Sequence, residues 1–207
     1  LSYVSQVVMV NNQGREIFNY SIYHDGVDGS SQNTRHLISL GNKRIAYLGN
    51  SQSGRTTQDR LHGFLDVMSE ADLEVPDSFI HHVEGGDPIL GQKSVEYFMR
   101  LTPKPTAIVC FNDMLAIGVL KGCEVAGFRV PEDLSVTGFD NITYSAFTTP
   151  CLTTFDQPKF SIGQEAAQLL LDLLRAEDGI IKDTPNVKIL KGKLLIRGTT
   201  STPGEAY

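Results

Sequence analysis

Four places in this 207-residue chain set amide, carboxylate, guanidinium or imidazole groups directly after a short apolar run. Asn112-Asp113 follow Thr106–Phe111, and Asp140-Asn141 follow Leu134–Phe139. A polar loop, Asn50 to Arg55, follows Arg44–Gly49, with Arg60 on the first turns of the helix beyond it. His24 and Asp25 follow Tyr20–Tyr23. These groups suit polyols. A carboxylate accepts from two vicinal hydroxyls, and a guanidinium fork donates to ring and hydroxyl oxygens. Taken singly, each residue also reads as a helix cap; Asp113 reads equally well as the cap of its own helix. Four such ends together point to a polar cleft for a small molecule.

Other chemistries find less support. Gly49-Asn50-Ser51-Gln52-Ser53-Gly54-Arg55-Thr56 has the spacing of a phosphate-binding loop, but Arg55 stands where that loop needs a lysine. Nucleotide hydrolysis is therefore disfavoured. His81-His82 are adjacent on a strand and point to opposite faces, so one metal site cannot easily use both. No serine lies in a G-x-S-x-G elbow, and no cysteine has a plausible histidine partner. The expectation is a binding module with no catalytic residues, no metal and no cofactor.

The elements that would position these groups alternate in kind. Val7–Val10, Tyr20–Tyr23, Arg44–Gly49, Phe79–Val83, Thr106–Phe111 and Leu134–Phe139 read as strands. Helices are expected from Asp28 or Ser30 to Leu40, over Thr56–Ala71, Leu90–Leu101 and Asp113–Ala126, and over Pro158–Ala176. In the second of these, Leu61, Phe64, Leu65 and Met68 form one apolar face. In the last, Ala166, Leu170, Leu173 and Leu174 form the apolar side. Val187–Leu190 and Leu194–Arg197 read as two further strands, with Lys191-Gly192-Lys193 as a hairpin turn. Strand–helix alternation implies an α/β fold with parallel sheets flanked by helices. The helix Asp113–Ala126 is apolar almost all round, so a second layer or a partner subunit must cover it.

Composition narrows the class further. Hydrophobic residues make up 41% and charged residues 20%, which excludes a disordered or collagenous chain. The formal charge of −6 argues against direct DNA binding by this chain. No apolar run reaches the length of a membrane helix, so no membrane partner is expected. Cys110, Cys123 and Cys151 form no CxxC pair and read as reduced thiols in a cytoplasmic protein. The start, Leu1-Ser2-Tyr3-Val4, has no signal-peptide pattern and no initiator Met. A piece of a longer protein is the expectation.

Several stretches together resemble the LacI/GalR-type transcriptional regulators. Leu37-Ile38-Ser39-Leu40-Gly41-Asn42-Lys43-Arg44-Ile45-Ala46 is similar to their "LI-x-LGH-x-RIA", and Arg60-Leu61-His62-Gly63-Phe64 to "R-x-x-GF". The segment Pro105–Gly118 is similar to "PTAI-x-x-x-ND-x-x-A-x-G", and Gly127–Asn141 to "G-x-x-VP-x-DISV-x-GFD". Pro150–Pro158 is similar to "P-x-LTT-x-x-QP". The match runs in order from Val7 to Arg197.

The resemblance implies a type I periplasmic-binding-protein-like fold of two subdomains around an effector cleft. It implies that the DNA-binding headpiece and much of the first subdomain are missing. Residues 1–43 would be a remnant of the first subdomain and 44–153 the second. Residues 154–184 would return to the first, and 185–207 would cross back. The implied ligand-binding residues are Asp140, Arg60, Asn112, Gln157, Asn11 and His24. His24 stands where many members have the Asp of a "DN" pair. Near Gly86-Asp87 many members place a stacking aromatic, and this chain has no Trp at all. A small sugar is therefore favoured over a planar base. The implied function is the effector-binding and dimerisation core of a cytoplasmic repressor. Ligand binding would shift a population of states and alter operator affinity through the missing headpiece. The partners would be a carbohydrate effector, a second copy and operator DNA. A periplasmic sugar-binding protein of a transporter is the alternative.

Overall fold

The computed structural model describes residues 7–11, 20–176 and 187–203. Its elements begin with β1 (Val8–Val10), β2 (Tyr20–His24), α1 (Gly26–Ser39), β3 (Ile45–Asn50) and α2 (Arg55–Glu70). They continue with β4 (Ile80–Val83), α3 (Pro88–Met99), β5 (Ala107–Cys110), α4 (Asp113–Ala126) and β6 (Ser135–Phe139). The last are β7 (Thr153–Asp156), α5 (Lys159–Arg175), β8 (Val187–Leu190) and β9 (Lys193–Leu195).

Two compact units result. The smaller is Leu1–Asp25 with Gln157–Gly192; the larger is Gly26–Asp156 with Lys193–Tyr207. The sequence-based segments 1–43, 44–153, 154–184 and 185–207 differ from this division chiefly at α1. That helix lies in the larger unit because it packs along α2. Two buried hydrogen bonds fix it there: Ser31 Oγ donates to the Gly63 carbonyl at 3.1 Å, and Asn33 Nδ2 to the Gly138 carbonyl at 2.9 Å. The expected boundary between 184 and 185 lies outside the described residues, as does Leu1–Val4.

The larger unit has a six-stranded sheet in the order β4-β3-β5-β6-β7-β9. Its pairs are parallel except β9, which runs antiparallel on β7. Alternate residues of each strand face opposite layers. Ala46, Leu48, Ile108 and Cys110 join a core with Phe98, Leu115 and Val119 of α3 and α4. Ile45, Tyr47, Ala107 and Val109 join a core with Leu37, Phe64 and Met68 of α1 and α2. Burial on both faces is why these strands read as unbroken apolar runs.

The apolar helix α4 is covered in large part by that second layer. Gly91 and Gly118 let α3 and α4 approach backbone to backbone: a Cβ on Gly118 would lie 2.0 Å from the Pro88 carbonyl oxygen. Met114 and Val125 remain exposed. Cys110 and Cys123 are buried in this layer, Cys151 is exposed, and all three are free thiols. Burial pushes the Cys110 thiol pKa well up and that of Cys123 to about 12.

The smaller unit has a parallel sheet in the order β1-β2-β8 with α5 packed on it. Ile22, Ile162 and Ala166 are its core, with Val8, Leu169 and Leu190 against them. Of the expected apolar side of α5, Ala166 and Leu173 are buried, while Leu170 and Leu174 are exposed. The hairpin expected at Lys191-Gly192-Lys193 is not formed. β8 pairs with β2 and β9 pairs with β7, so those residues carry the chain from one sheet to the other. Alternating apolar residues mark two strands, but the free edge each one finds decides its partner. Among the described residues no helix is long and apolar enough to cross a membrane.

Candidate functional site

From β3 the chain moves outward to β4 and then returns to β5 on the other side of β3. Strand order therefore reverses between β3 and β5, and ligands of open parallel sheets bind beyond the carboxyl ends of strands at such a point. The side chains there are Asn50 at the end of β3 and Asn112 after β5, with Asp140 after β6 as the next in line.

Asn112 is the cap of α4. Its Oδ1 accepts from Leu115 N at 2.8 Å, and its Nδ2 donates to the Gly86 carbonyl at 3.1 Å. A Cβ on Gly86 would lie 2.6 Å from Asn112 Nδ2, so a side chain there would displace the amide. Asp113 is not a cap. It is fully buried, and its oxygens accept from Thr154 Oγ1 at 2.5 Å and from Ile142 N at 2.8 Å. Its role is to pin β7 and the segment after β6 to the start of α4.

Arg60 and Asp140 form the central pair. Arg60 projects from the second turn of α2 and is buried. Its guanidinium carbon sits 3.6 Å from the Phe139 ring centroid and 4.5 Å from that of Phe111, a cation–π sandwich. Nη1 donates to the Phe111 carbonyl, and Nη2 donates to Asp140 Oδ1 at 3.3 Å. Burial lowers the guanidinium pKa from its usual value, and the Asp140 carboxylate opposes that shift. The Arg60 side chain is only 5% exposed, whereas Asp140 keeps 27%. The carboxylate is thus the accessible end of a pair whose cation is fixed within the protein. Asp140 has φ 115° and Asn141 φ 48°, both in the region that favours glycine. Such residues cost on the order of 1–3 kcal/mol each and persist only where surroundings over-determine them.

In the smaller unit, Asn11, His24 and Gln157 come together at the carboxyl ends of β1 and β2. Asn11 Oδ1 lies 3.1 Å from His24 Nδ1, and Asn11 Nδ2 donates to Gln157 Oε1 at 3.5 Å. The six expected residues are therefore distributed as three in each unit. Arg60 touches Asp140, whereas Asn112 is tied to Gly86.

The loop Gly49–Thr56 is folded back on itself. Asn50 Nδ2 donates to Ser53 Oγ at 2.7 Å, Asn50 Oδ1 accepts from Gln52 N at 2.9 Å, and Arg55 pairs with Asp59 at 3.7 Å. His81 stacks on Tyr97, while His82 lies edge-on to Tyr47 across the sheet. Among the described residues no group of three or more His, Cys, Asp or Glu is placed to hold a metal ion. The sequence reading named Asn141 only as part of a polar strand end, and it passed over Phe111, Phe139 and Arg197, which the fold places around the Arg60–Asp140 pair. For the two phenylalanines a signal existed: each directly precedes a polar strand end, Asn112 and Asp140.

A periplasmic binding protein-like domain model matches residues 34–200. The HTH-type transcriptional repressor PurR of Aliivibrio salmonicida (strain LFI1238) is 37% identical over 155 residues, covering 74% of this chain and 46% of that protein. The HTH-type transcriptional repressor PurR of Escherichia fergusonii is 34% identical over 171 residues, covering 82% of this chain and 50% of that one. The chain thus spans about half the length of these curated relatives. Among solved structures, a LacI-family sugar-binding transcriptional regulator from Escherichia coli, complexed with phosphate, superposes with a TM-score of 0.82. It is 30% identical and covers 94% of this chain and 68% of that one. A LacI family transcriptional regulator from Enterococcus faecium with bound ribose has a TM-score of 0.84 at 26% identity, covering 95% and 71%. These relatives are transcriptional regulators, not enzymes. With the doubly covered parallel sheet, the polar strand ends and the match over residues 34–200, the chain belongs to the LacI/GalR family of transcriptional regulators, as their periplasmic-binding-protein-like effector-binding domain.

Proposed function

We propose that this chain is the effector-binding core of a cytoplasmic transcriptional repressor and that its effector is a small carbohydrate. The observation that carries this reading is the buried Arg60 holding the accessible carboxylate of Asp140, with a cation–π sandwich fixing the guanidinium. A carboxylate fixed in this way accepts from two sugar hydroxyls at little further ordering cost. Asn11, His24 and Gln157 of the smaller unit are assigned as a second set of hydroxyl contacts, and Asn112 as a contact through its remaining donor and acceptor capacity. The repressors and the ribose-bound regulator among the relatives support this class. Effector binding would shift the population of states of the whole regulator, and so its affinity for operator DNA through a headpiece outside this chain.

The direct test is a thermal-shift screen of the chain against pentoses, hexoses, disaccharides and nucleobases, followed by calorimetry with the stabilising compound. Asp140→Ala is expected to weaken that compound about tenfold to a hundredfold, from loss of a charged hydrogen bond of about 1.5–3 kcal/mol. Unchanged affinity in Asp140→Ala would remove the site. Stabilisation by a nucleobase and by no sugar would overturn the effector class.

Homodimerisation is part of the proposal. Ile89 and Val125 are exposed beside an apolar groove of about 480 Å³ between α3 and α4, also lined by Val95, Met99 and Phe128. Exposed apolar patches of this kind mark association surfaces. Light scattering at micromolar concentration should show a dimer that Val125→Glu dissociates. A monomeric chain with its full helix content would refute this part.

A further inference from the structure

The Asp140–Asn141 turn is strained, so something must hold it. Asp140 N donates to the Phe155 carbonyl at 2.9 Å, and Asn141 N donates to Thr154 Oγ1 at 3.3 Å. The stronger clamp is on the Asn141 side chain. Its Oδ1 accepts from Arg197 Nη2 at 2.8 Å, and its Nδ2 donates to Asp156 Oδ1 at 2.9 Å. Arg197 is itself fixed, with Nη1 donating to the Leu152 carbonyl at 2.8 Å and to Ser145 Oγ at 3.1 Å. An amide fits this place because it presents an acceptor to the cation and a donor to the carboxylate. Asparagine also tolerates a positive φ better than most residues.

The partners of that clamp lie far from Asn141 in the chain. Asp156 is the last residue of the larger unit before Gln157 opens the smaller one, and its Cα partner on β9 is Lys193, the first residue of the return. Arg197 follows four residues after Lys193.

We propose that Asn141, clamped between Arg197 and Asp156, is the positioning residue that holds the Asp140 carboxylate toward Arg60 and the effector. This rests on Asp140 as the effector contact. The role assigned to Asn141 is indirect: the residue sets the backbone from which Asp140 projects.

The test exchanges the polarity of the clamp. Asn141→Asp sets a carboxylate against Asp156, while the double variant Asn141→Asp/Asp156→Asn restores one donor and one acceptor with the two groups swapped. The first readout needs no sugar. It is the ¹H–¹⁵N resonance of Arg60 Nε, which is buried without a hydrogen-bond partner among the described residues and so is sensitive to the guanidinium's placement. Asn141→Asp should move this resonance in the direction that Asp140→Ala moves it, and the double variant should return it. The second readout is calorimetric titration with D-ribose. Asn141→Asp should weaken binding about tenfold or more, and the double variant should recover most of that. If Asn141→Asp does not fold, Asn141→Ala and the double variant carry the same comparison. A folded Asn141 variant with an unmoved Arg60 resonance, or a double variant without recovery, overturns the proposal. The expected resonance pattern in a chain that ignores D-ribose supports the positioning role and counts against D-ribose as the effector.

Discussion

The two faces of the six-stranded sheet are built from alternate residues of the same strands and both bury an apolar core, yet they differ in how their buried polar atoms are met. The face under α3 and α4 is closed by apolar contact and by helix backbones that touch at Gly91 and Gly118. Its buried charge, Asp113, has hydrogen-bond partners on both oxygens. The face under α1 and α2 carries buried polar atoms with no hydrogen-bond partner among the described residues. They are Tyr47 OH on β3, Arg60 Nε on α2, Thr137 Oγ1 on β6, and Ser30 Oγ and Asn33 Oδ1 on α1. This is the face from which Arg60 reaches Asp140. The unpartnered polar atoms thus gather on the side of the sheet that carries the candidate pair Arg60–Asp140, where local packing rules are most often relaxed.

The comparison can be broken at its strong side first. Phe98→Ala empties a fully buried ring site beneath α3 and should cost about 3–5 kcal/mol in urea unfolding. A loss below about 1 kcal/mol would mean that apolar contact does not close this face. Asp113→Ala comes next, because it leaves Ile142 N and the Thr154 hydroxyl without their acceptor, at about 2–4 kcal/mol together. It should also loosen the Asp140 turn, which amide exchange at Ile142 would show as lost protection. The smallest effect belongs to the polar face. Thr137→Val replaces an unpartnered hydroxyl with a methyl of similar shape and should leave stability within about 0.5 kcal/mol of wild type, or raise it. A cost above about 1.5 kcal/mol would show that this hydroxyl is satisfied by buried water, and the contrast between the faces would shrink.

Most of the elements were legible because local patterns specify them. The helix Asp113–Ala126 has the bounds read from its sequence, and the strand cores of β3, β5 and β6 stand out as buried apolar runs. What failed was partner choice. The hairpin at Lys191–Lys193 and the placement of α1 both depend on which free edge or groove is nearest in space, and spacing along the chain carries no record of that. The site divides in the same way. Asp140 and Arg60 were singled out from strand ends and from family resemblance, and the fold pairs them. Asn141 was seen as a polar strand end but given no role, because its partners Asp156 and Arg197 lie 15 and 56 residues away. Asp113 was half read, since a carboxylate at a helix start is a cap unless the fold brings a better donor, and Thr154 is that donor.

The late position of β8 and β9 has a consequence for synthesis. Each sheet receives a strand from residues 187–195, and residues 199–201 then bond to β6 and to the end of α1 through Thr199, Ser135 and Asn42. Neither sheet can therefore be completed on the ribosome until this short stretch has emerged. Until then β7 and β2 each present an unpaired edge, which is the state in which nascent chains associate wrongly. Both edges are covered within the same few residues of elongation, β2 by β8 and β7 by β9.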